Sequence, residues 1–100
     1  MSGFNVRREA LYREARTYEL FAGNVEQVRA DLRAAFNRDR NTLGDDEYGA
    51  ELAKKLPEME RGIFDALTTF IDELEDVALG LNASARNYKA AEHPPPVTRD

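Results

Sequence analysis

The chain has 100 residues, no cysteine, one histidine and a formal net charge of 14 − 19 = −5, with 42% hydrophobic and 33% charged side chains. That length holds one domain. The missing cysteine excludes disulfides and thiolate metal sites, and the mixture of apolar and charged residues suits amphipathic helices better than a disordered polymer. The charge is uneven: residues 1–42 carry eight Arg against six acids, +2, and residues 43–100 carry six Lys/Arg against thirteen acids, −7. An acidic chain repels nucleic acid and anionic lipid, so neither is an expected partner. The two parts attract each other if they pack antiparallel; both also read as simple solvated faces. No apolar run is long enough to span a bilayer, and Met1–Arg8 lacks the apolar core of a signal peptide.

Leu11, Tyr18, Phe21, Val25, Val28, Leu32 and Phe36 recur at spacings of three, four and seven, one stripe on a helix. This predicts helix 1 over about residues 7–40. A break follows at 41–45, where Asn41 suits a left-handed helix end, Gly44 a tight turn, and Asp45 or Asp46 the cap of the next helix. So short a connection makes the helices antiparallel neighbours.

The second periodic segment is the stronger. Leu52, Leu56, Met59, Ile63, Leu67, Phe70, Leu74, Val77, Leu81 and Tyr88 follow a near-continuous heptad seam, widened by Phe64, Ile71 and Ala78. Helix 2 is expected from about 46 to 91, with a kink at Pro57 or an end near Lys55 and a restart. Pro94-Pro95-Pro96 forbids continuation, and 94–100 read as a disordered tail. With the fold-back at Leu43, residue 7 stands opposite residue 79, and residues 80–91 overhang helix 1 by about 12 × 1.5, or roughly 18 Å. The fold class is therefore all-α, an antiparallel two-helix hairpin. Two helices share one interface, and helix 2 carries a stripe wider than one neighbour hides. The hairpin is expected to complete a four-helix bundle as a dimer, with its own copy or a similar hairpin.

Catalytic and metal chemistry find little support. His93 lies beside the proline run, and one His without Cys supplies no transition-metal ligand set. Asp72, Glu73, Glu75 and Asp76 crowd together, but the Glu-x-x-His pairing of di-iron bundles is absent. Asn37-x-Asp39-x-Asn41 resembles the start of a calcium loop and then fails, with Thr42 at the sixth position and Tyr48 at the twelfth. Arg7, Arg8, Arg13 and Arg16 alternate with Glu9, Glu14 and Glu19, which reads as salt-bridged surface. No enzyme, cofactor or metal is expected; binding to protein is.

Two features point further. Leu43-Gly44-Asp45-Asp46-Glu47-Tyr48-Gly49 sits mid-chain between the helices, and Tyr88-Lys89-Ala90-Ala91-Glu92 ends the second helix with a Tyr-x-x-x-Glu pattern. Over about Phe4 to Glu92 the chain resembles the WXG family of type VII (ESX) secretion proteins, the ESAT-six-like hairpins common in actinobacteria. The turn matches the family's Trp-Gly-Asp variant from Gly44 to Gly49, with Leu43 where that variant carries Trp. The resemblance implies a homo- or heterodimeric bundle, cytoplasmic before export and secreted folded without an N-terminal signal peptide. It implies an export signal at Tyr88 and Glu92, read by an FtsK-type secretion ATPase. Tyr88 and Glu92 are four residues apart and share one helix face. The other expectation is a non-secreted adaptor or chaperone hairpin that holds the helical N-terminal segment of a larger toxin or effector.

Overall fold

The computed structural model describes residues 3–40 and 46–92, the side chains of Phe4 and 89–92 excepted. It is an all-α hairpin of two antiparallel helices, α1 (Gly3–Arg40) and α2 (Glu47–Glu92). α1 begins at Gly3, before the expected residue 7. Its last turn carries Arg38 and Arg40, cations where the helix dipole is negative. Of the two candidate caps, Asp46 is seen in that role: its Oδ1 accepts the Gly49 N–H at 2.7 Å and its carbonyl accepts the Ala50 N–H at 2.9 Å. Glu47 follows in the first turn, favourable for the same electrostatic reason. Leu43, Gly44 and Asp45 of the turn motif, and the tail from residue 93, lie outside the described residues.

α2 runs unbroken through Pro57. The expected restart near Lys55 is not found. Proline removes one backbone donor and leaves the rest of the helix ladder to carry the segment.

The hairpin divides into two compact units, each holding a stretch of both helices: residues 22–72, and residues 1–21 with 73–100. In the first unit the buried side chains are Ala22, Leu56, Phe64 and Ile71. Phe64 is its centre. Phe36 meets it edge-on, with ring centroids 5.9 Å apart at 71°, and the Arg33 guanidinium carbon stands 4.0 Å over its ring. Arg29 Nη1 donates to Thr68 Oγ1 at 3.0 Å. Arg40 forms an ion pair with Glu60, whose side chain is only 12% exposed.

In the second unit the buried side chains are Ala15, Leu74, Ala78 and Ala85. Three of the four are alanine. Ala15 and Ala85 are the most enclosed, at 1% and 0% exposure, so helix meets helix here with the least side-chain bulk between them. Asn82 Nδ2 donates to Glu19 Oε1 at 3.4 Å. Among the described residues no large side chain is completely enclosed in either unit.

The register differs from the sequence expectation. Glu19 meets Asn82, and Leu11 shares a pocket with Tyr88, so the end of α2 lies beside α1 rather than beyond it. The unit of residues 22–72 also departs from the expected register. Arg40 pairs with Glu60, thirteen residues (60 − 47) after α2 begins, about 20 Å of helix. Taking Leu43 as the fold-back point placed α2 too far along.

Two variants test this packing. Ala85→Leu puts a branched side chain where none fits and is expected to destabilise the hairpin by about 1–3 kcal/mol in urea unfolding. Asp46→Ala removes the cap and should cost about 1 kcal/mol in the same measurement. A midpoint unchanged in the first would contradict the close helix contact, and in the second the cap.

Candidate protein-binding surfaces

At 100° per residue the described side chains sort onto two flanks of each unit. In the unit of residues 22–72, Arg33, Arg40, Pro57, Arg61 and Thr68 stand on one flank. There Arg29 reaches Thr68, Arg33 covers Phe64, and Arg33, Pro57, Glu60, Arg61, Phe64 and Asp65 line a shallow pocket. The opposite flank carries Val28 of α1 with Met59, Ile63 and Phe70 of α2. Val28 is 50% exposed, Met59 51% and Ile63 37%.

In the unit of residues 1–21 and 73–100, Glu19 and Asn82 pair on one flank, and Val77 (42% exposed) stands with Phe21 on the other. The unit of residues 22–72 is thus polar on one flank and apolar on the other, whereas in the second unit Leu79, 64% exposed, stands beside Glu19 on the polar flank.

This divides the expected seam. Leu56 and Leu74 are buried, with Leu52, Leu67 and Leu81 half-buried. Leu11, Tyr18, Val25, Leu32 and Phe36 of α1 are half-buried too. Met59, Ile63, Phe70 and Val77, like Phe21 and Val28, face outward in the single chain. A heptad pattern marks a stripe but not which edge of it the neighbour covers. The buried alanines 15, 22 and 85 escape the sequence pattern, because alanine is too weakly hydrophobic to mark a period. Their signal is spacing alone: 15 and 22 are one heptad apart, and 85 follows Ala78 by one.

Tyr88 is half-buried and lines a pocket of about 270 Å³ with Arg7, Ala10, Leu11 and Glu14. Glu92 closes α2, its side chain outside the described residues. At the start of α2, Tyr48 is 80% exposed and Gly49 is buried. Asp72, Glu73, Glu75 and Asp76 are all exposed. Among the described residues no group of three or more His, Cys, Asp or Glu is placed to hold a metal ion, and no helix is long and apolar enough to cross a membrane.

No family model, curated protein or solved structure matches the chain.

Proposed function

We propose that this hairpin is a type VII (ESX) export substrate, or the co-exported partner of one, which pairs with a second helical hairpin of its own or a similar sequence. The observation that carries the pairing is the apolar flank. Val28, Met59 and Ile63 stand substantially exposed on one side of their unit, whereas the opposite side is occupied by arginines, Thr68 and Glu60. A second hairpin laid on that flank supplies the missing half of a four-helix core. The other unit exposes Val77, an apolar side chain of the same kind. The export half of the reading rests on the Leu43–Gly49 turn and on Tyr88 with Glu92, through their resemblance to the WXG family. The secretion ATPase of the FtsK type is the receptor that this resemblance implies.

Each half has its own test. Ile63→Glu places a carboxylate in the middle of the apolar flank and should weaken self- or partner association at least about tenfold in sedimentation equilibrium. A wild-type chain that stays a stable monomer, alone and with its genomic neighbour, removes the pairing. For export, Tyr88→Ala and Glu92→Ala in the native host are expected to leave the protein in the cells with its helical circular dichroism intact. Secretion into the medium at the wild-type level contradicts the signal.

A further inference from the structure

Resting on the export reading above, we infer that Tyr88 is not read alone: it forms one composite site with the first turns of α1, and that site receives an aliphatic side chain of the export receptor, flanked by an acid and a base. The pocket has apolar walls from Ala10, Leu11 and Tyr88 and a rim of opposite charges, Arg7 and Glu14. Arg7, Ala10 and Glu14 are spaced by three and four, so they share one helix face. The two charges stand seven residues apart, about 10.5 Å along the axis, with the apolar floor between them. A volume of about 270 Å³ admits a side chain rather than a folded element.

The chemistry of the rim selects the occupant. A lone anion gains from Arg7 and is repelled by Glu14; a lone cation meets the reverse. A peptide segment that carries a carboxylate opposite Arg7, a cation opposite Glu14 and an aliphatic side chain between them satisfies all three features, as a helix laid in a groove does. The pocket also differs from the rest of its flank. Val77 offers hydrocarbon alone, whereas here the apolar surface is bracketed by charge, which favours a distinct partner over continuation of the hairpin pairing. The Tyr88–Glu92 segment alone lacks Arg7, Leu11 and Glu14, and an unfolded chain does not bring them to Tyr88, so neither has the site.

The test uses full-length protein. Arg7 and Glu14 are both exposed, so the double reversal Arg7→Glu/Glu14→Arg keeps the net charge and leaves the core untouched. Export from the native host and binding to the purified cytosolic ATPase domains of its secretion system are measured beside Tyr88→Ala. The double reversal is expected to reduce both by about tenfold or more, with helical content and sedimentation unchanged. Wild-type export by the double reversal while Tyr88→Ala fails overturns the composite site and leaves the export reading standing. Wild-type export by both variants overturns the Tyr88 signal, and this inference with it, whereas a wild-type chain that never leaves the cells overturns the export reading. Loss in the double reversal but not in Tyr88→Ala removes Tyr88 from the site and overturns the inference. A changed oligomeric state in the double reversal assigns the pocket to hairpin pairing instead and likewise overturns it.

Discussion

A helix can hide only part of its circumference behind one antiparallel neighbour, and α2 has more apolar surface than that. From Met59 to Phe64 its hydrophobic positions cover an arc of roughly 140° at 100° per residue. In the unit of residues 22–72, α1 covers the edge that holds Phe64 and Ile71 and leaves open the edge that holds Met59 and Ile63; in the other unit Ala78 is covered and Val77 open. The arrangement of the molecule follows from this mismatch. What is buried is small: among the described residues four of the eight buried hydrophobic side chains are alanine, so the hairpin gains close helix contact more than bulk hydrophobic area. Larger side chains that would ordinarily form a core stand at its border.

The polar interactions fall on the other border. Arg29 to Thr68, Arg33 over Phe64 and Arg40 to Glu60 are long arms from α1 laid across α2. They combine apolar cover from the arginine stems with hydrogen bonds or ring contact at the tips. Of these, Glu60 is the most enclosed charge, and its pairing with Arg40 fixes how far α2 has already run when α1 ends. In the other unit, Tyr88 meets Leu11 and Arg7 at the pocket they line.

The two helices were legible in the sequence because their periodicity is long and uninterrupted, and the break between them because Asn41, Gly44 and the paired aspartates concentrate there. The register was not, because loop composition marks where a chain leaves a helix but not where it comes back beside it. Nor was the direction of the seam: Leu74 and Val77 fit the same heptad, and only the position of α1 buries one and exposes the other. The pocket at Tyr88 was half legible. Tyr88 stands out in the sequence, whereas Arg7, Ala10 and Glu14 carry no local pattern that ties them to it.

The difference between the two flanks also bears on where association stops. A surface that is apolar on one side joins its like into a closed pair, after which no adhesive side remains. A surface apolar on both sides has no such end point and can propagate into open chains. In the unit of residues 22–72, Thr68 and the arginine arms thus do more than tie α1 to α2. They keep one flank of that unit wet, and one wet flank favours closed pairing over open chains.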